Sequence, residues 1–330
     1  MGSIYLRPMF KLNFEIPPLQ QPIGLEDRLL LLGSCFADEI GRLLGAHKFL
    51  VNSNPLGTLF NPLSIFEVMH LSMGTAQPRP LVPRGDLYYS WDTHSSWSGP
   101  DPNALKERMA RQLEQTGQWL RHTDWVVLTL GTAYVYELNA TGEVVANCHK
   151  FPQQDFTKRL LSVEEIMGAF ERVHAALTTI NPKVNFLFTV SPVRHTRDGL
   201  VENNLSKAIL IQAVHQLVNS LPQNHYFPAY EIVMDELRDY RFFKEDMVHP
   251  SSQAIQYVWE AFQHSCLNES TRAFVHQWKS ILAALRHRPM HPESTAHQKF
   301  LHATLSRLME LGNKVDITAE LEQIKYQIVE

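Results

Sequence analysis

At 330 residues, with 44% hydrophobic and 19% charged side chains, the chain is too long for a small stapled scaffold and too ordinary in composition for a disordered one. A formal net charge of −4 without a dense Lys/Arg run excludes the broad positive footprint that nucleic acid or an anionic membrane requires, so neither is an expected partner. Cys35, Cys148 and Cys266 are odd in number and widely spaced, which sets up neither a disulfide framework nor a Cys-x-x-Cys metal site. The segment from Met1 to Pro18 lacks the basic-then-apolar pattern of a secretory leader, and no later stretch reaches the ~20 apolar residues of a membrane span, so a cytoplasmic protein is expected.

Short apolar runs alternate with longer amphipathic stretches, the pattern of strand-helix units wound into a parallel sheet. The first predicted strand covers 28–32 and runs through Gly33-Ser34-Cys35 into a helix over 36–46, where Ile40, Leu43 and Leu44 recur at helical spacing. A short extended run at 49–52 and a helix at 62–73 follow. The third strand, 125–130, is almost wholly apolar, as a central strand buried on both faces must be. Residues 134–138 and 144–147 flank the turn at 139–142 and predict an inserted hairpin. Further strands are expected at 184–190 and 226–230, with helices at 163–179, 203–219 and 251–266.

From 267 to 330 the reading is helical. Phe274, Trp278, Ile281 and Leu282 form one stripe; Phe300, Leu301, Leu305, Leu308 and Leu311 form another, and Pro289 to Pro292 is the hinge between them. The expected organisation is a main domain over 1–266 and a helical extension over 267–330 that packs on it. That extension is expected to cover the site or make a homo-oligomer contact.

Two segments carry chemistry. Ligands of open parallel sheets bind outside the carboxyl ends of the strands, and Gly33-Ser34-Cys35 occupies that edge. A thiol at the start of a helix sees the positive end of the macrodipole, so Cys35 is a candidate nucleophile with a lowered pKa and alkylation well below pH 8; the alternative is a small core cysteine. In Asp246-Met247-Val248-His249-Pro250, the carboxylate three residues before the histidine can hold one ring nitrogen and leave the other as a base. Arg194 and His195 follow the fourth strand at the ligand edge, where Arg194 can bind a carboxylate or phosphate, although a surface salt bridge has the same pattern. Asp92-Thr93-His94 offers two metal-type ligands without a third at a recognisable spacing, and no metal is expected. Trp91 and Trp97 either line a pocket or pack.

Gly33-Ser34-Cys35-Phe36-Ala37 resembles the signature of the GSCFA domain family, which is related to the SGNH, or GDSL-like, hydrolases. Asn54-Pro55-Leu56-Gly57-Thr58, Asn61-Pro62-Leu63-Ser64, Leu130-Gly131-Thr132-Ala133, Ala146-Asn147-Cys148-His149-Lys150, Ser191-Pro192-Val193-Arg194-His195 and the Asp246/His249 segment resemble family segments in the same order. The resemblance implies a three-layer α/β/α fold with a flavodoxin-like parallel sheet, and serine-esterase-type chemistry without a cofactor. A gapless match puts Cys35 at the nucleophile position, while a shift of one residue selects Ser34. Of the family's oxyanion donors, the nucleophile's own amide is retained and Gly57 matches the glycine after the second strand. After the third strand Gly131 is kept, but Ala133 stands where an asparagine belongs. Asn147 or His149, returning on the hairpin, is the expected replacement, because a lost donor costs ~10²–10³ in rate.

The function expected from this resemblance is an acyl esterase or acyltransferase with a Cys (or Ser), His249 and Asp246 triad, acting on a small-molecule or saccharide O-acyl ester. The alternative is a catalytically silent module of the same fold that binds a saccharide or protein.

Overall fold

The computed structural model describes residues 14–328; most of the Met1 to Pro18 segment lies outside them. β1 (Arg28–Gly33) leads into α1 (Cys35–Ala46), β2 (Leu50–Ser53) and α2 (Pro62–Met73). A small antiparallel sheet of β3 (Val82–Arg84), β4 (Leu87–Tyr89) and β5 (Ser98–Gly99) precedes α3 (Pro102–His122) and β6 (Trp125–Leu130). A second antiparallel sheet, β7 (Tyr134–Leu138), β8 (Val144–Val145) and β9 (Phe156–Leu160), is inserted before α4 (Val163–Ile180). β10 (Asn185–Val190), α5 (Leu200–Ser220) and β11 (Asn224–Tyr226) complete the winding. The short α6 (Ala229–Glu231) continues as a π-helical turn, Ile232–Leu237, and α7 (Ser252–Cys266), α8 (Glu269–Arg286), α9 (Thr295–Leu311) and α10 (Thr318–Lys325) follow.

The central sheet is wholly parallel in the order β11-β10-β6-β1-β2. Counted as they occur in the chain, its strands run 2-1-3-4-5 from one edge, the flavodoxin-like order, and the winding reverses between β1 and β6. That switch point opens the crevice where ligands bind in such sheets. Alternation along each strand builds two cores. Leu29 and Leu31 join Trp125, Val127 and Leu187 beneath α1, α7 and the C-terminal helices. Leu30 and Leu32 join Val126, Leu128, Phe186 and Phe188 beneath α2 to α5. Both faces are covered, so an uninterrupted Leu29 to Leu32 run is what β1 requires, and each of these side chains contributes about 1.5–3 kcal/mol by leaving water.

The structure departs from the sequence reading in several places, the β3-β4-β5 sheet among them. The last strand ends at Tyr226 rather than 230: Phe227 makes a final backbone bond to Phe188, and Pro228, which has no N–H for the ladder, starts α6. Helix α3 has no counterpart among the predicted elements. Its cap, Asp101 accepting from the amides of Asn103 and Ala104 with Pro102 behind it, is a clear start signal, but Leu105, Met109, Leu113 and Leu120 are a thin stripe among polar residues. The predicted hairpin gains a third strand, β9, which pairs along the whole of β7.

The two C-terminal stripes find their apolar partners within the chain. Phe274, Val275, Trp278 and Ile281 of α8, and Leu308 and Leu311 of α9, enter the core beneath α1 and α7. The Trp278 indole donates to the carbonyl of Ala46 at 2.9 Å, closing the C-terminal end of α1. This is the end of α1 remote from Cys35. Among the described residues, no helix is long and apolar enough to cross a membrane.

Trp278→Ala should lower the free energy of unfolding in urea by ~3–5 kcal/mol, because it empties a fully buried indole site. Trp278→Phe should cost less, with the lost indole donor accounting for about 1 kcal/mol. Equal effects of the two variants would mean that the tail does not brace α1.

Candidate active site

The turn after β1 is dictated by crowding. Gly33 has φ +140° and lies so close to β6 that a Cβ would sit 2.1 Å from the carbonyl oxygen of Thr129. Its amide donates to Asn54 Oδ1 at 2.8 Å. Asn54 Nδ2 in turn donates to Asp38 on α1 at 2.8 Å, and the Thr58 hydroxyl donates to the other Asp38 oxygen at 3.1 Å. Ser34 is fully buried: its amide donates to Thr129 O at 3.0 Å, and its Oγ caps α1 by accepting from Phe36 N at 3.3 Å. Cys35 is the first helical residue and is half-buried.

The second segment folds on its own carboxylate. Asp246 Oδ1 accepts from the amides of Val248 (2.9 Å) and His249 (3.0 Å), while Oδ2 faces His249 Nδ1 at 2.7 Å. The amide of Lys244 donates to His249 O at 2.7 Å, and a bridge between Phe243 and Pro250 closes the loop. Met247 takes φ +57° at its tip. With the hydrogen on Nδ1 held by the carboxylate, Nε2 keeps its lone pair free for a proton. The pair is open to solvent, with side-chain exposures of 41% for His249 and 48% for Asp246, so a substrate reaches it directly. The amides of His249 and Val248, with the imidazole, hold the Asp246 carboxyl down to about 2.

Cys35, His249 and Asp246 line one cavity of about 280 Å³, together with Phe36, Glu39, Val193, Lys244, Pro250 and Ile255. Ser34 lies beneath the turn and is not part of this lining. The thiol differs from the sequence-based expectation of a lowered pKa. Burial pushes Cys35 up, and Asp38 adds to the shift; the backbone amide at the helix start and Lys244 oppose it but are weaker. Burial and Asp38 together therefore favour the neutral thiol form of Cys35.

The remaining predicted residues divide. Gly57 is a glycine for packing: at φ +85° a Cβ would meet His94 Cβ at 2.4 Å, and its amide is committed to Asn54 O at 2.8 Å. The Gly131 amide is likewise committed, to Phe60 O at 2.8 Å. Asn147 and His149 are tied to another part of the chain. Asn147 Oδ1 accepts from Ser95 and from the His149 amide, and the His149 ring lies between Ser95 Oγ (2.9 Å) and Ser90 O (2.7 Å), against Tyr89 and Trp91. Burial holds this imidazole low, as a structural neutral group.

Arg194 braces the loop that carries Asp246 and His249. Its amide donates to Val248 O, its Nη1 donates to Met247 O at 2.9 Å, and its guanidinium lies 3.9 Å from the Phe243 ring centre. His195 follows it, with its amide on Asn203 and its buried Nε2 without a protein partner; burial and then Lys207 hold it down to about 4. Asp92 pairs with Arg79 at 2.5 Å, which takes it away from His94. Among the described residues no group of three or more His, Cys, Asp or Glu is arranged to hold a metal ion.

Helix α5 supplies a polar set that the sequence reading passed over. Asn203 accepts from the His195 amide; Ser206 Oγ accepts from Ala133 N at 2.7 Å and bonds Thr132 Oγ1; Lys207 Nζ donates to Gly131 O and Ser191 O. All three are buried. The signal was available: residues at i, i+3 and i+4 lie on one helix face. Here that face also carries Leu210, Ala213, Val214 and Leu217 into the core.

The GSCFA family model matches residues 28–262, more than half of the chain, and the model of the GSCFA C-terminal domain matches 278–330. The chain belongs to the GSCFA family. Its signature residues are those of the turn just described, and the second match covers most of the braced tail. No curated protein sequence is similar to the chain. Similar solved structures include an acetyl esterase mutant with an acetate ion, at 11% identity and a TM-score of 0.35, covering 77% of this chain and 99% of that one. A carbohydrate esterase family 3 protein from Talaromyces cellulolyticus aligns at 13% identity and a TM-score of 0.32, with the same coverages.

Two outcomes follow for the ionisable pair. The Asp246 carboxyl should titrate near 2 by NMR, against its ordinary 3.8. Because the folded value is depressed, its contribution to stability is fully present above the unfolded value and is lost as pH falls through the folded one. Cys35 alkylation by iodoacetamide should show its inflection above the ordinary thiol value of 9.0, and an inflection well below that would show that the helix start outweighs burial.

Proposed function

We propose that this GSCFA protein is an acyl-ester hydrolase or acyltransferase in which Cys35 is the nucleophile, His249 the general base and Asp246 the group that orients His249. The observation that carries this reading is the lining of one solvent-accessible cavity by the thiol and by the exposed Asp246/His249 pair. His249 Nε2 takes the proton from Cys35 as the sulfur attacks the acyl carbonyl carbon. The tetrahedral oxyanion then collapses; the alkoxide leaves with the proton from His249, and a thioester on Cys35 remains. Water, or the hydroxyl of an acceptor, gives its proton to His249 and attacks the thioester, and Cys35 leaves as the thiol. The raised thiol pKa suits this order, since proton transfer accompanies attack and no standing thiolate is required. The substrate class is an O-acyl ester, with a saccharide as the candidate carrier.

A second reading, a catalytically silent binding module, is favoured by one observation. The Gly57 amide, which the family relationship suggests as an oxyanion donor, is spent inside the protein, and Ala133 stands where the family's asparagine donor belongs.

The nucleophile is tested by turnover of small acyl esters such as 4-nitrophenyl acetate. Cys35→Ala should abolish it and His249→Ala should reduce it severely. Ser34→Ala should leave it measurable while lowering stability by about 1 kcal/mol through the lost helix cap. Loss of turnover in Ser34→Ala with full turnover in Cys35→Ala reverses the assignment, and a wild-type protein inert to every acyl ester tried favours the binding module.

A further inference from the structure

Lys207 has no part in the mechanism above, yet it is among the most completely buried side chains of the protein, at 1% exposure. Its Nζ donates to Gly131 O at 2.6 Å and to Ser191 O at 2.7 Å, the carbonyls just past the ends of β6 and β10. Two neutral carbonyls take two of its three N–H donors and leave its charge uncompensated, and among the described residues no carboxylate lies within ion-pair distance of Nζ. A buried ammonium without an anion is costly and calls for a compensating charge. The register supplies a place for one: Gly33 of β1 lies opposite Thr129 of β6, two residues before Gly131, so Cys35 starts α1 at the edge where Lys207 is held.

We propose that Lys207 is the electrostatic partner of Cys35: held by the Gly131 and Ser191 carbonyls, its ammonium stabilises the negative charge that forms on sulfur and on the acyl oxygen during attack. It thereby offsets the missing asparagine after β6, whose place Ala133 occupies. The inference rests on the reading of Cys35 as nucleophile, but its test does not need ester turnover.

Glu39 from α1 and Lys244, Asp246 and His249 from the loop before α7 line the cavity with Cys35, while Asp38 from α1 and Lys207 from α5 act on it from outside that lining. Asp38 and Glu39 oppose the thiolate, and Lys244 favours it. Burial holds Lys207 down to about 7, and the Cys35 sulfur pulls it back up. The ammonium is thus poised near neutrality and gains its proton most readily when the sulfur is anionic. His195, the other titratable group beside Lys207, is held to about 4 and stays neutral in that range.

The experiment is the pH profile of iodoacetamide alkylation at Cys35 in a Cys148→Ser background, with thermal melting as the check on folding. Lys207→Met should slow alkylation roughly tenfold below about pH 7, where the ammonium is charged, and leave the rate above about pH 9 unchanged. Lys207→Gln, which keeps donors for the two carbonyls but no charge, should behave as Lys207→Met, and Lys207→Arg should restore the profile toward wild type. An unchanged rate below about pH 7 in folded Lys207→Met or Lys207→Gln overturns the pairing. If both fail to fold, the reciprocal measurement decides: Cys35→Asp, which places a permanent anion at the sulfur's position, should raise the Lys207 ammonium midpoint followed by ¹⁵N NMR, and an unchanged midpoint overturns the pairing. A shifted alkylation profile in a protein that turns over no ester supports the pairing and counts against the esterase reading, whereas ester turnover with an unshifted profile does the reverse.

Discussion

The site depends on one close approach, that of the Gly33 backbone to the Thr129 carbonyl. A strand that must become a helix within a single residue, while lying against its neighbour in the sheet, leaves no room for a Cβ. The same contact anchors the next residue, since the Ser34 amide donates to Thr129 O. With Ser34 pinned and turned inward as the cap, Cys35 is left as the first residue able to face the crevice. Asn54 completes the fixation from β2 by joining the Gly33 amide to Asp38, so β1, α1 and the β2 loop move as one body.

The opposite wall of the cavity is built differently. Much of what holds the Asp246 to His249 turn is local hydrogen bonding, with Val248 packed against the core. Its two carboxylate oxygens divide the task, one satisfying backbone amides and the other the imidazole. Arg194 and the Lys244 amide then fasten this self-contained loop to the end of β10 and to the segment before α7. A rigid turn faces a locally wired loop. The position of Cys35 therefore depends on the sheet, whereas that of His249 depends largely on polar contacts near water.

At the ends of β6 and β10 lies the polar part of α5. A helix packed on the sheet should present an unbroken apolar face, and α5 does so along Leu210, Ala213, Val214 and Leu217. Towards its N-terminal half the face turns polar, and Asn203, Ser206 and Lys207 take up backbone groups of the loops after β6 and β10. Buried polar groups are tolerated where their partners are fixed, and here the partners are strand-end carbonyls and loop amides that would otherwise be exposed to the crevice.

The sequence by itself determined the parallel α/β winding, because buried strands such as Trp125–Leu130 must be apolar on both faces and amphipathic helices must cover them. It also carried the Asp246/His249 pair, whose three-residue spacing is a local property, and the Gly33-Ser34-Cys35 turn. Where long-range contacts decide, it fell short. Whether Gly57 is a donor or a packing glycine depends on His94, 37 positions along the chain by numbering, and whether Cys35 is acidic depends on its burial and on Asp38. Strand β11 stopped at Tyr226 because of Pro228, a cue that was legible, whereas α3 was obscured by a stripe too thin to stand out. Lys207 reads as one more solvated cation in a helical stretch. Only the sheet's strand order, which sets α5 against the ends of β6 and β10, removes that ammonium from water and directs it to two carbonyls.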